Sequence, residues 1–164
     1  MEYPKKTIYL AGPITGLTHN EARYGWRASL MQQLEIMGLD HIFCNSPMRG
    51  KEFLKDAGVL GSDQAIYASG NAMSTPSGIT TRDFNDVKNC DAMIACFLES
   101  GGKLSGGTFM EYGFAHALQK PVIGIGDKDD VNLSHLMAAR VLGYRVDTVE
   151  EAAIIIGHLL TPGI

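Results

Sequence analysis

The segment Ser105-Gly-Gly-Thr-Phe-Met-Glu111-Tyr-Gly113-Phe-Ala115-His-Ala-Leu118 runs into the apolar stretch Pro121-Val-Ile-Gly-Ile125. It constrains the fold most, because it joins a glycine-rich helix start to a short buried strand, and the same alternation recurs along the chain. Lys5 to Ala11 reads as a buried strand that ends in a Gly12-Pro13 turn, where α/β sheets place ligand loops. Thr18-x-x-Glu21 is a capping box. It opens a helix with Trp26, Leu30, Leu34 and Met37 on one face, and Gly38 stops that helix. Ile42-Phe-Cys44 is a second strand, a helix spans about 81–89, and Ala92 to Leu98 is a third strand. Residues 133–139 read as helical, Gly143 to Asp147 as a brief edge strand, and Thr148-x-x-Glu151 caps a last helix with Ile154, Ile155 and Leu159 on its apolar face. About five mostly parallel strands with interleaved helices predict a doubly wound α/β sandwich, Rossmann- or flavodoxin-like.

Composition bounds the class. At 164 residues with 45% apolar and 20% charged content, the chain suits a single domain spanning 1–164 with a real core. Periodicity fades only from about 45 to 80, a stretch long enough to cover a site. Within it Glu52 to Ala57 can form one helical turn or two, and Gly70 to Gly78 reads as mobile. A net charge of −4 and a pI near 5.7 argue against nucleic acid as the main partner. No long apolar span or signal peptide is visible, so no membrane association is expected, and three cysteines without zinc spacing fit a reducing cytoplasm. The five histidines, at 19, 41, 116, 135 and 158, form no metal-ligand pattern, and no metal or other cofactor is expected.

Two acidic residues stand out. Glu111 lies about one turn into the helix after Gly106-Gly107, where unpaired N–H groups and the helix dipole favour an ionised carboxylate able to act as a nucleophile. Asp83 follows Ile79-Thr-Thr-Arg82 at a helix opening, as an acid or orienting partner. Both should face strand carboxyl ends, although the dipole alone also favours acidic residues there. Ser105 either caps its helix or joins the Gly106, Gly107 and Thr108 N–H groups around a phosphate. Tyr9 and Trp26 read as core packing. Arg49 and Arg82 can bind phosphate or base, or form exposed ion pairs, and His135 reads as a surface helix histidine beyond a strand.

Thr7-Ile-Tyr9-Leu-Ala-Gly12-Pro, Asp83 ahead of Asn89-Cys-Asp91, Gly107-Thr-x-x-Glu111-x-Gly113-x-Ala115, Lys120-Pro-Val-Ile and His135-Leu-Met137 together resemble the nucleoside 2-deoxyribosyltransferase family over most of the chain. The resemblance implies a retaining double displacement on a small nucleoside or nucleotide. Glu111 would attack the anomeric carbon, Asp83 would manage the base's proton, and Tyr9 would hold the nucleophile or sugar. It further implies a homo-oligomer in which a neighbour lends the His135-Leu-Met137 segment. Two features depart from the transferases. Ser105 stands where they carry an aspartate that grips the sugar 5′-hydroxyl, which resembles instead the 2′-deoxynucleoside 5′-monophosphate N-hydrolases. The ending Thr161-Pro-Gly-Ile164 has no aromatic tail of the kind that completes the transferase site. Transfer to a base, hydrolysis, and nucleotide binding without turnover are therefore the three expectations, in that order.

Overall fold

The computed structural model describes residues 3–61 and 74–163. Strands β1 (Lys6–Ala11), β2 (Ile42–Asn45), β3 (Ala92–Cys96), β4 (Val122–Ile125) and β5 (Tyr144–Val146) form one parallel sheet in the order β2-β1-β3-β4-β5. Helix α1 (His19–Ile36) follows β1, α2 (Pro76–Asn89) precedes β3, and α3 (Gly106–Ala117) joins β3 to β4. Two single turns, α4 (Val131–Ser134) and α5 (Ala138–Val141), lead to β5, and α6 (Val149–Leu160) follows it. This is the doubly wound α/β architecture expected from the alternating pattern.

Strand side chains alternate between faces, so each strand feeds two cores. Ile8, Leu10, Ile94 and Ile123 pack with Trp26, Leu30 and Leu34 of α1 and with Ala152, Ala153 and Ile156 of α6. Tyr9, Ala11, Met93 and Ala95 point the other way, against Val87 of α2 and Tyr112 and Ala115 of α3. Each large aliphatic side chain buried in this way contributes about 1.5–3 kcal/mol, which holds the layers together. A smaller cluster of Ala22, Met48, Leu54 and Leu60 fixes the segment after β2 against the start of α1. An isolated bridge between Thr18 and Val59 reinforces that attachment.

Both capping boxes form. Thr18 and Thr148 accept from the backbone N–H groups of Glu21 and Glu151, and each glutamate reaches back to its cap. Helix α2 begins earlier than the expected 81, because Thr75 caps the N–H of Gly78 and Pro76 supplies the first helical residue. The expected 133–139 helix is instead the two short turns α4 and α5, broken at His135 in an extended conformation. Met37 lies at the end of α1 and is half-exposed rather than in the core. On α6, Ile154 and Leu159 face solvent, while Ala152, Ala153, Ile156 and Leu160 supply the apolar stripe. Alanines pass unnoticed in an apolar pattern, so the expected face of α6 was rotated. Glu52–Leu54 forms a single 3-10 turn; the first part of the Gly70 to Gly78 stretch lies outside the described residues, and Pro76 onward is helical.

β1 and β3 are neighbours whose connections leave in opposite directions, which opens the crevice where such sheets take ligands. Gly12 seals its floor: its φ is +149°, and a Cβ there would lie 2.6 Å from the Cys96 carbonyl oxygen at the end of β3. Gly12→Ala combines a backbone clash with an unfavourable φ. It is expected to lose at least about 2 kcal/mol, read as a lowered urea midpoint at an unchanged m-value.

Candidate active site

A cavity of about 580 Å³ opens at this crevice. Gly12 to Thr15 line it after β1. Pro47, Lys51 and Gly61 line it from the segment after β2, Ile79 and Asp83 from α2, and Ser100 and Lys103 to Thr108, with Glu111, from the β3–α3 side. Five of the residues singled out in the sequence thus meet at one cavity: Glu111, Asp83, Gly12, Ser105 and Gly107.

Glu111 sits in the second turn of α3, past the unpaired N–H groups of the helix start, and its partner is a side chain. The Tyr9 hydroxyl donates to Glu111 Oε1 at 2.6 Å, within the range of a charge-assisted O–H···O bond. The register of β1 explains the pairing: Tyr9 takes the inward position facing α3, where an apolar residue would otherwise pack. Tyr9 is fully buried, and burial followed by the Glu111 and Asp83 charges keeps its phenol protonated far into the alkaline range. Burial also pushes the Glu111 carboxyl up to about 8, against the Tyr9 hydrogen bond and the charges of Arg27 and Lys51, which pull it down. The ionising effect expected of the helix start is therefore not the controlling influence. Desolvation is, because Glu111 is only 8% exposed.

Asp83 lies in the middle of α2 rather than at its opening, so the helix dipole does not account for it. Burial raises its carboxyl above the usual range, opposed chiefly by Arg82 and Lys51. Arg82 donates to Asp83 Oδ1 from Nη2 at 3.1 Å and to the Pro47 carbonyl at 2.8 Å, so it orients the acid and fastens the cavity wall at once. Arg49, considered as a phosphate or base contact, instead grips Asp86 through both guanidinium nitrogens and does not line the cavity.

The Ser105 hydroxyl does not cap the backbone. It pairs with Thr108 Oγ1 at 2.9 Å, and the Ser105 N–H donates to Asn132 Oδ1 at 2.8 Å. Open space surrounds the Cα positions of Gly106 and Gly107, so a ligand group can approach the start of α3 closely, beside Lys103. His135 and Met137 lie outside the cavity. His135 stacks edge-on against Phe109 at 5.0 Å, and Leu136 and Met137 are 80% and 72% exposed, next to a second, apolar groove of about 500 Å³.

Two site residues were not recognised from sequence. Arg27 is fully buried. It donates to the Leu10 and Ala22 carbonyl oxygens and stacks on Trp26 at 4.7 Å, and burial lowers its pKa, opposed first by the Glu111 charge. Its spacing with Leu30 and Leu34 marks the buried stripe of α1 and was the available signal. Lys51 is 3% exposed at the cavity wall, pushed down to about 8 by burial with the Asp83 charge opposing. Nothing in its aperiodic surroundings distinguishes it from a surface lysine. Among the described residues no three His, Cys, Asp or Glu side chains gather as a metal site, and no helix is long and apolar enough to cross a membrane.

Comparison with known proteins places this architecture. The family model described as nucleoside 2-deoxyribosyltransferase matches residues 8–154. Among solved structures, a 2-deoxyribosyltransferase from Bacillus psychrosaccharolyticus is 18% identical, with 90% of each chain covered and a TM-score of 0.57. A CMP N-glycosidase from Clostridium botulinum is 20% identical, covering 92% of this chain and 97% of that one, with a TM-score of 0.52. A molybdenum cofactor binding protein from Rippkaea orientalis is 17% identical, covering 98% and 100%, with a TM-score of 0.50. A search among curated proteins finds no match. At these identities the structural likenesses establish the fold, whereas the family match runs from the tyrosine strand through the Glu111 helix to the last helix, and by it the chain belongs to the nucleoside 2-deoxyribosyltransferase family.

Proposed function

We infer that this chain cleaves the N-glycosidic bond of a 2′-deoxynucleoside or its 5′-monophosphate and passes the 2-deoxyribosyl group to another base, with water as a competing acceptor. The observation that carries this reading is the Glu111 carboxyl, aimed by Tyr9 into a cavity whose wall also holds Asp83. A Glu111 oxygen attacks C1′ as the C1′–N bond breaks and its electron pair leaves with the base. Asp83, whose carboxyl is raised by burial and which lines the same cavity, gives a proton to the departing heterocycle. An incoming base or water then displaces Glu111 from C1′ and returns a proton to Asp83, so two inversions restore the original configuration.

One observation favours hydrolysis of the 5′-monophosphate as a second reading. Ser105, Gly106, Gly107 and Lys103 give one cavity wall a hydroxyl, a helix start and a cation, where a carboxylate would repel phosphate. The CMP N-glycosidase of the same fold is consistent with it. Binding without turnover is a weaker reading, since it gives no reason for a buried carboxyl facing the cavity beside a second one. The exposed Leu136 and Met137, adjoining an apolar groove, further support self-association, in which a second copy brings this segment to its neighbour's site.

Incubating a deoxynucleoside or deoxynucleotide with a second free base, followed by chromatography, separates exchange from hydrolysis. Glu111→Gln is expected to abolish both while preserving the fold; full remaining activity would remove Glu111 from the mechanism. The same variant tests the burial of the carboxyl. A glutamate of ordinary pKa when unfolded but about 8 when folded binds a proton on folding between those values, so its contribution to stability falls as pH rises from about 4.5 to 8. Glu111→Gln should therefore match the parent near pH 4 and exceed it by about 5 kcal/mol at pH 9, measured by urea denaturation at both pH values.

Only about one-tenth of a carboxyl with pKa near 8 is ionised at pH 7, so kcat/KM should rise with pH up to about 8. Tyr9→Phe removes the hydrogen bond that favours the ionised form. It is expected to shift that acid limb further up, lowering kcat/KM at pH 7 by about tenfold or more. Ser105→Asp should reduce kcat/KM on 5′-monophosphates by about tenfold more than on nucleosides, and equal losses would remove the phosphate assignment.

A further inference from the structure

The cavity has two unlike walls, and the mechanism above leaves one charged group without a task. The wall built after β3 offers Lys103, Ser105, Gly106 and Gly107, which suits the sugar's 5′ end. The opposite wall, from the segment after β2 and from α2, offers Pro47, Ile79, Asp83 and Lys51. Apolar Pro47 and Ile79 suit the face of a planar ring, and the charged pair suits its polar edge. Lys51 is held there by its backbone: its N–H donates to the Met48 carbonyl, its own carbonyl accepts from the Leu54 N–H, and the Met48 and Leu54 side chains are buried. A lysine 3% exposed is costly to keep charged. The charged groups facing it are Asp83 and Arg82 from α2, Glu111 from α3 and Arg27 from α1, the two carboxylates favouring its ammonium and the two arginines opposing it.

We propose that Lys51 is a base-recognition residue, whose ammonium donates to a carbonyl oxygen of the departing heterocycle beside Asp83, and that the site therefore selects oxo-bases over adenine. The assignment rests on the glycosidic reading. When the C1′–N bond breaks, the electron pair that goes to the base is shared by any carbonyl oxygen conjugated with the ring nitrogen. A cation fixed at that oxygen stabilises the charge as it develops, while Asp83 delivers the proton. An ammonium carries three donors, so one contact with the base is compatible with other contacts to the protein. Adenine has only nitrogen acceptors and takes less of this stabilisation.

The test compares kcat/KM for 2′-deoxyuridine, 2′-deoxyguanosine and 2′-deoxyadenosine, each also as the 5′-monophosphate, with the parent chain, Lys51→Met and Lys51→Arg. Lys51→Met should lose about 100-fold on the uracil and guanine substrates and under about tenfold on the adenine substrate, whereas Lys51→Arg stays within about tenfold of the parent on all three. In the parent, kcat/KM on the oxo-bases should fall again above about pH 8 as Lys51 loses its proton. Loss of the Asp83 proton would act on all three bases alike, so it is the limb seen with the oxo-bases and not with adenine that should vanish in Lys51→Met and move beyond the accessible range in Lys51→Arg, which a merely structural role would not produce. Equal losses on all bases, or an alkaline limb unmoved in either variant, overturns the assignment while parental turnover leaves the glycosidic reading standing. Should Lys51→Met fail to fold by circular dichroism, the limb in Lys51→Arg decides alone. A parent chain that cleaves none of the substrates overturns both.

Discussion

A carboxyl group kept out of water and steered by one hydroxyl is the constraint around which this structure is arranged. Glu111 is desolvated at the end of a parallel sheet, and Tyr9 supplies its hydrogen bond from a strand position that could have been aliphatic. Desolvation makes the group a weak acid and, once ionised, a poorly solvated and therefore reactive anion. Arg27, buried under the same crevice with its guanidinium spent on backbone carbonyls, offsets part of the cost without neutralising the acid by a direct ion pair. Orientation comes from the sheet, and the raised pKa from the dryness of its edge.

Much of the fold was legible because it rests on local signals. Capping boxes at Thr18 and Thr148, the Gly38 stop and the apolar strands depend on neighbours in sequence, and each formed where the residues indicated. The errors have physical causes. Thr75-Pro76 is a helix start hidden in an aperiodic stretch, and the alanines of α6 bury the face that the larger Ile154 and Leu159 had suggested. At the site, residue types and rough positions were visible, but environment was not. Helix-terminus reasoning led to an ionised Glu111, whereas burial, a sum over side chains from β1, α1, α2 and α3, prevails. Arg27 and Lys51 show the same limit, since a charged side chain becomes a core or cavity residue only through contacts distant in sequence.

The two loops on the β3 and β4 sides of the site are tied together by hydrogen bonds. Asn132, fully buried, accepts from the Ser105 N–H and donates to the Lys103 carbonyl and to Asp130, while the Ser100 hydroxyl donates to Asp130 at 2.6 Å. Every polar atom of the Asn132 side chain is used within the protein. The glycine-rich segment, which would otherwise be free to wander, is thereby given a defined path into α3, and the segment that carries it continues directly to His135 and Met137. The start of the Glu111 helix and the exposed apolar segment are thus built on one framework.

The outer strands carry a different consequence. β5 has three residues and β2 four, and both lie at the margins of the sheet, β5 with Arg145 at its centre and β2 with Lys5 lying over Phe43. Short borders with cationic side chains nearby make poor templates for adding a foreign strand. Continuous ribbons built from many copies by backbone pairing are accordingly disfavoured, and assembly is left to side-chain surfaces, which can close on themselves and stop growing.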